Sequence, residues 1–491
     1  MRTLPVLLLD GYKLGHPRQY PEGTEMIYSN LTPRGTRREG YSDGVILFGP
    51  QYFIKRYLLD AFQRDFFDRA VDDVVKEYRR RCDAYLGPGA VETDRIAALH
   101  DLGYLPLEIR CLPEGTLVPY GVPALTINNT LPEFFWLTNM LETLMSAVLW
   151  KPCTTATTAR QFWLRFQEYA KKTGADPEFV PFQGHDFSMR GMSGPEDAAL
   201  SGAAHLLYFV GTDTVPALDL LEQYYEIDAT RELLGVSVPA TEHSVMCAGG
   251  MEDERGTFDR LVSKVYPSGI VSIVSDTWDF WGVLTHILPS IRDEIMVRDG
   301  KVVIRPDSGD PVKIICGDFD AQWGSPEYWG AIQLLWDTFG GTQTPTGYRV
   351  LDPHVGLIYG DSINLDRQAR ILGGLAHKGF ASSNVVLGLG SYTYQFVTRD
   401  TDGWAMKATA ARINGEDIAI FKDPKTDSGL KRSARGFLKV KRGPDGRPTL
   451  LQDQTWDDRE GGMLELVFIN GTHITESFQA IRVRAQSAGA S

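Results

Sequence analysis

Seven short apolar runs between residues 180 and 400 end on small polar clusters: FVPFQGHDFSMRG, LLYFVGTDT, VSVPATEHS, IVSIVSDTWD, KVVIRPDSGD, VGLIYGDS and VVLGLGS. The residue types at these tips suit a phosphorylated, metal-linked substrate better than an apolar one. Asp213 in GTDT can accept hydrogen bonds from a substrate N–H, or it can cap the helix-like VPALDLLEQYY that follows. Glu242 and His243 stand together in TEHS, where the imidazole can serve as acid, base, nucleophile or phosphoryl acceptor, or simply bond the backbone. Asp276, Asp307 and Asp361 are three strand-end carboxylates able to hold ribose hydroxyls or Mg²⁺, with capping as the plainer alternative. Arg190 and Arg305 supply fixed positive charge that grips phosphate bidentately, or pairs with the neighbouring aspartates, or both. Gly360 and the GLGS run at Gly388–Ser391 let backbone N–H groups approach a phosphate closely. No Walker A motif or complete GxGxxG fingerprint is present. A basic loop, FKDPKTDSGLKRSARG with Lys422 and Lys431, could reach a diphosphate or a nucleotide, although most charge runs are solvated turns.

Something must bring these tips together. The runs recur about every thirty residues, the spacing of βα units, and in a β/α barrel the carboxyl ends of the strands assemble the active site. EDAALSGAAHLL, VPALDLLEQYY and SINLDRQARILGGLAHKG read as the intervening helices. The Gly- and Trp-rich stretch 317–348 reads as a helix with loops.

Outside this region the pattern changes. Residues 51–110 are helical in spacing, and 105–130 read as short strands. PEFFWLTNMLETLMSAVLW reads as one helix, and TTATTARQFWLRFQEYAKKTG as another with its own N-cap threonines. After residue 400 alternation with DG and NG turns predicts antiparallel hairpins, and AQSAGAS predicts a disordered tail. The expected division is an N-terminal α+β region at 1–150, a catalytic α/β barrel at 151–398, and a β-hairpin region at 399–491. The last includes the basic loop 422–435 and packs with the N-terminal part.

The chain has 491 residues, 43% hydrophobic and 23% charged, which is ordinary for a globular protein with two or three domains. A net charge of −13 argues against general nucleic-acid or acidic-membrane binding. Cys82, Cys111, Cys153, Cys247 and Cys316 form no CxxC, zinc pattern or disulfide framework. The opening apolar run is too short for a signal peptide and no later run reaches transmembrane length, so the expectation is a cytoplasmic protein.

From DGYKLGHPRQYP at Asp10–Pro21, through HDFSMRG, GTDTV, PATEHS, VSDTWD, IRPDSGDP, YGD and FKDP, to the C-terminal hairpins, the chain resembles the nicotinamide phosphoribosyltransferases. These are type II phosphoribosyltransferases. The resemblance implies an irregular β/α barrel with a second, discontinuous, mostly-β domain, and a head-to-tail homodimer with shared active sites. It implies transfer of phosphoribose from phosphoribosyl pyrophosphate to nicotinamide, yielding nicotinamide mononucleotide and diphosphate for NAD salvage. Mg²⁺ would take part, at Asp276 and Asp307, and ATP would phosphorylate His243, beside Glu242. By the same resemblance Phe187 stacks on the nicotinamide ring, with the partner subunit's Tyr12 on its other face. Asp213 binds the carboxamide. Arg190 and Arg305 meet the ring pocket and the 5′-phosphate. Asp307 holds the ribose hydroxyls, with Asp276 and Asp361 nearby. Gly360 and Gly390 face the ribose phosphate. Arg34, Arg399 and Lys407 match positions lent by the second subunit, and Lys422 and Lys431 match the diphosphate and ATP loop. The chain departs from the family at Ser188, where glycine is usual, at Ala405, where serine is usual, and in the shortened GLGSYTYQ.

An ionised Asp213 accepts from a carboxamide and repels a carboxylate, which favours nicotinamide over the alternative substrate, nicotinate. A barrel hydrolase or aldolase would want a histidine-rich metal cluster or a Schiff-base lysine at a strand end, and the tips offer neither. A non-catalytic binding protein does not need so many strand-end motifs.

Overall fold

The computed structural model describes residues 3–38, 41, 43–421 and 434–488. The chain divides into two units: Met1–Thr157, Leu220–Ile227 and Val397–Ser491 form one, and Thr158–Asp219 with Asp228–Phe396 form the other. The short excursion at 220–227 has no signature in the sequence.

The first unit is built on a seven-stranded sheet in the order Glu416–Ala419, Ala405–Ile413, Thr24–Thr32, Leu125–Asn129, Leu107–Cys111, Glu465–Ile469, Thr472–His473. All its pairings are antiparallel. Central strand Thr24–Thr32 is buried almost throughout, so it lacks a polar face. Its Asn30 amide is satisfied by donating to Lys407 O at 3.2 Å. Two hairpins turn on Asn-Gly, as their sequence predicts: Asn414 and Gly415 have φ of 52° and 77°, Asn470 and Gly471 of 49° and 81°. Both positions of such a turn need positive φ, which Asn and Gly tolerate.

Glu114 is wholly buried in this unit, where it accepts from the N–H groups of Gly49 (2.8 Å) and Gln51 (2.6 Å) and from the Tyr225 hydroxyl (3.1 Å). Burial pushes its carboxyl up to about 7, against the opposing pull of those donors.

Three sequence expectations need correction. The two helices expected around residue 150 are one helix, Trp136–Thr173, containing Pro152. The threonines that looked like N-caps donate back into it instead, Thr154 to Trp150 O (2.9 Å) and Thr157 to Cys153 O (2.7 Å). Residues 317–348 hold two helices, Pro326–Trp329 and Ala331–Phe339, and a strand Gly341–Gln343 paired with Arg349–Leu351. The start of the expected tail, Ala485–Ser487, is helical in Phe478–Ser487, because Phe478, Ile481 and Ala485 are buried at helical spacing, and residues 489–491 lie outside the described residues.

The second unit carries six parallel strands: β1 Gly184–Asp186, β2 Gly211–Thr212, β3 Ser268–Val274, β4 Asp299–Arg305, β5 Val355–Tyr359 and β6 Val385–Leu389. Their order is β2-β1-β6-β5-β4-β3. Segment 236–240 closes the ring through parallel bridges Gly211↔Val236 and Ala240↔Ser272. It supplies the seventh run seen in the sequence. Val271, Ile273, Val302, Ile304, Leu357, Leu387 and Leu389 are buried, as expected of parallel strands covered by helices. The fold is therefore α/β, an irregular β/α barrel with a second, discontinuous, mostly-β unit. Among the described residues no helix is long and apolar enough to cross a membrane.

Candidate active site

The barrel gathers its chemistry where the strands end. At the end of β1, the buried Asp186 accepts from Ser188 N–H at 2.9 Å, and Phe187 N–H donates to Leu389 O at 3.1 Å. This turn sets the Phe187 ring over two glycines. A Cβ at Gly388 would lie 2.4 Å from the ring, and one at Gly360 3.2 Å, so the ring takes the space their side chains would need. Ser188 has φ of −80°, a conformation open to any residue, so the departure from glycine costs the backbone nothing.

Asp213 follows β2. Its Oδ1 accepts from His185 Nε2 at 3.0 Å and from the Ser237 hydroxyl at 2.5 Å. Among the described residues its carboxylate takes no bond from the helix Val215–Tyr225, so capping is not its role. Burial pushes the Asp213 carboxyl up, but the His185 and Ser237 bonds and the charge of Arg305 outweigh it and hold the group below its ordinary value.

Arg305 ends β4 and donates through Nη2 to Thr241 O at 2.9 Å. Neither Arg305 nor Arg190 makes an ion pair among the described residues. Arg190 is exposed on the turn Met189–Gly191.

Past β3, the nearly buried Asp276 ties two strand ends together: Oδ2 accepts from Asp307 N–H at 2.9 Å and from the Ser308 hydroxyl at 2.6 Å. Its Oδ1 is buried and lies 3.9 Å from His243 Nε2. His243 is half exposed at the start of helix His243–Gly249, with Nδ1 3.1 Å from Thr277 Oγ1. Glu242 is exposed and bonded to the Ser244 hydroxyl, not to His243. Asp307 and Asp361 are exposed nearby. Burial, followed by the charges of Asp361, Asp276, Asp307 and Asp310, pushes the Tyr359 phenol well above its usual range, so these carboxylates share one neighbourhood. No group of three or more His, Cys, Asp or Glu side chains able to cage a metal occurs among the described residues.

Gly390 opens the short turn Ser391–Tyr394, and a Cβ there would meet nothing within 4 Å. The turn is anchored from below, with the buried Tyr394 hydroxyl 2.8 Å from His205 Nδ1 and His205 Nε2 3.0 Å from Gly211 O. Burial holds the His205 imidazole down at about 4, hence neutral. A cavity of about 210 Å³ runs inside the barrel, bounded by Phe187, His185, Asp213, Ser237 and Arg305 among largely apolar walls.

The other unit holds Tyr12, 63% exposed. It also holds Arg34, Arg399 and Lys407, all exposed. Arg34 Nε donates to Gly403 O at 3.0 Å, Arg399 Nη2 lies 3.2 Å from Asp400 Oδ1, and Lys407 stands opposite Asn30 in the sheet. In the same unit Asp402 is fully buried, accepting from Arg38 Nη2 (2.9 Å to each oxygen), the Tyr120 hydroxyl (3.1 Å) and the Thr154 hydroxyl (3.1 Å). Ala405 is buried at the start of its strand, opposite Thr32. Lys422 and Lys431 lie outside the described residues.

Sequence reasoning missed His185, Ser237 and Asp402. His185 and Phe187 are two positions apart at a strand end, so a period of two would have placed both on one face. Nothing local distinguishes Asp402 from the other polar residues of TRDTDG.

Similarity to known proteins agrees with this geometry. The profile of the nicotinate phosphoribosyltransferase (NAPRTase) family matches residues 182–461, and that of the nicotinamide phosphoribosyltransferase N-terminal domain matches residues 5–85. A nicotinamide phosphoribosyltransferase of Acinetobacter baylyi is 54% identical over 480 residues, covering 96% of this chain and 94% of the relative. One from Xanthomonas campestris is 35% identical over 489 residues, covering 98% and 94%. Among solved structures, human nicotinic acid phosphoribosyltransferase aligns with a TM-score of 0.57 at 16% identity, covering 98% of this chain and 93% of that one. The nicotinate-nucleotide pyrophosphorylase of Pyrococcus furiosus aligns at 0.56 and 14%, covering 97% and 93%. At those identities the structures speak for the fold. With the profile spanning the barrel and close relatives spanning nearly the whole length, the chain belongs to the nicotinamide phosphoribosyltransferase family.

Proposed function

We propose that this enzyme is a pentosyltransferase that moves the 5-phosphoribosyl group of phosphoribosyl pyrophosphate to the ring nitrogen of nicotinamide. The products are nicotinamide mononucleotide, for NAD salvage, and diphosphate. The observation that carries the choice of base is Asp213, held ionised beside Phe187 in the barrel cavity. Such a group accepts a carboxamide N–H and repels the carboxylate of nicotinate.

In the reaction the bond from ribose C1 to the diphosphate oxygen breaks and the bond from C1 to the pyridine nitrogen forms. Positive charge grows on the sugar and negative charge on the leaving group. Phe187 stacks the base, Asp307 and Asp361 engage the ribose, and Arg190 and Arg305 meet the ring pocket and the 5′-phosphate, so much of the barrier is lowered by positioning and fixed charge. The backbone at Gly360 and Gly390 approaches the ribose phosphate.

Asp276 and Asp307 are the residues that would hold Mg²⁺. Their hard oxygen donors suit such an ion, and Asp276 Oδ1 takes no hydrogen bond from the described residues. An ion held there would supply charge neutralisation for the departing diphosphate.

His243 is the acceptor for ATP: an imidazole nitrogen bonds the γ-phosphorus as the P–O bond to ADP breaks. Its half-exposed ring with Asp276 and Thr277 alongside supports this role, and Glu242 is available from the adjacent position. The enzyme works as a homodimer in which the partner subunit's Tyr12, Arg34, Arg399 and Lys407 complete each site. The exposure of all four supports that reading. A cytoplasmic location fits five unpaired thiols, four of them buried.

The test supplies phosphoribosyl pyrophosphate, Mg²⁺ and either base, with and without ATP. Preferential formation of nicotinamide mononucleotide, raised by ATP, is expected. Turnover of nicotinate alone would overturn the choice of base.

A further inference from the structure

We infer that His185 and Ser237 are positioning residues that set which base the enzyme accepts, by occupying one oxygen of Asp213 and reserving the other. This rests on the reading that Asp213 meets the carboxamide.

Both donors converge on Oδ1, at 3.0 Å from His185 Nε2 and 2.5 Å from Ser237 Oγ. Oδ2 takes no hydrogen bond from the described residues and remains the acceptor for a ligand in the cavity. The donors come from the two neighbours of β2 in the ring. His185 lies on β1, and Ser237 follows Val236, which bridges to Gly211. The Asp213 backbone is fixed as well, donating to Asp186 O at 2.9 Å.

The His185 ring has little freedom to turn away. A Cβ on Gly211 would fall 2.7 Å from its Nδ1, so the ring lies directly against that glycine. Its centroid is 4.6 Å from that of Phe187. One histidine thus braces both the ring-stacking residue and the carboxamide acceptor.

Two donors at Oδ1 have a consequence for specificity. Asp213→Asn keeps both bonds by placing its amide oxygen at Oδ1 and its NH₂ at the Oδ2 position, whereas the flipped amide needs the Ser237 hydroxyl to rotate and His185 to change tautomer. That turns the surface facing the base from an acceptor into a donor, suited to a carboxylate. Without the two pins the amide is free to flip, and the reversal weakens.

The experiment is steady-state kinetics with nicotinamide and nicotinate at saturating phosphoribosyl pyrophosphate. His185→Phe keeps a ring against Phe187 and removes the donor; Ser237→Ala removes the other. Each is expected to raise KM for nicotinamide about tenfold, the worth of one hydrogen bond to a charged group, with kcat within about twofold. KM for phosphoribosyl pyrophosphate stays unchanged. His185→Gln, which restores an N–H donor, recovers most of the loss. Asp213→Asn reverses the preference for base, and adding His185→Phe and Ser237→Ala to it restores a near-even preference.

An unchanged KM for nicotinamide in both single variants would overturn the inference. So would a parallel fall in kcat and rise in both KM values, or a Gln variant as damaged as the Phe variant. If Asp213→Asn leaves the preference for base untouched, the reading of Asp213 itself fails. If Asp213→Asn shifts the preference while the single variants do nothing, only the role of His185 and Ser237 fails.

Discussion

The two units handle functional charge in opposite ways. In the barrel the side chains themselves are pinned: Asp213 by His185 and Ser237, Asp276 by Asp307 and Ser308, Arg305 by Thr241. In the mostly-β unit Tyr12, Arg34, Arg399 and Lys407 are exposed, and the pinned charge is instead the buried Asp402. Groups that must recognise a base or meet developing charge at one place gain from preorganisation. In the proposed reaction Arg34, Arg399 and Lys407 meet a mobile phosphate, a task that long flexible cations can perform from a rigid backbone.

The sharpest break of this contrast is Asp276→Ala, which leaves Asp307 N–H and the Ser308 hydroxyl unpaired. The expected fall in kcat/KM is on the order of 1000-fold in a product assay. Asp402→Ala should strike the other unit through stability. Removing the buried acceptor shared by Arg38, Tyr120 and Thr154 costs about 3 kcal/mol in urea unfolding, with a raised KM for phosphoribosyl pyrophosphate in the folded fraction.

A third prediction sets two carboxylates against each other. Glu114 sits at about 7 when folded against 4.5 in the free side chain, so its stabilising proton is present below about pH 4.5 and lost as pH rises to about 7. The swing is about 3 kcal/mol at about 1.4 kcal/mol per pH unit. Asp213 has the opposite sign, because its depressed value loses stability only as pH falls through it. Between pH 5 and 8 hydrogen-exchange protection factors, corrected for the base-catalysed intrinsic rate, should therefore fall in the mostly-β unit and not in the barrel, and Glu114→Gln should flatten the difference. Gly388→Ala, whose Cβ would fall 2.4 Å from Phe187, should cost about 1–3 kcal/mol and weaken nicotinamide binding. The smallest effect belongs to Lys407→Ala: KM for phosphoribosyl pyrophosphate up about tenfold, kcat held, and the difference shrinking with added salt.

What could be read from the sequence follows the range of the forces involved. Strand ends and Asn-Gly turns are local, and each of the seven barrel runs and both turns is where its residues place it. The threonine run at 154–158 misled because a hydroxyl that caps a helix can equally bond inside one, and Thr154 and Thr157 do so. Asp276 and Arg305 stood out as types at tips. Their partners, and the pinning of Asp213 by residues 185 and 237, depend on strand order, which no local pattern carries. The Asp402 hub joins positions 38, 120 and 154 and is invisible until the chain is folded.

Strand pairing also fixes a timetable for synthesis. Strand Thr24–Thr32 pairs on one side with Ala405–Ile413, residue 24 meeting residue 413. The barrel's stretch ends at Phe396 and is complete before that partner has been made. Until then a long strand, buried in the finished fold, presents an unpaired edge, the kind that recruits other chains. A ribosome that stalls before residue 405 therefore releases a barrel beside an aggregation-prone stub. Yield in a cell then depends on how quickly the last hundred or so codons are read and on chaperones shielding that edge, as well as on the stability of the finished enzyme.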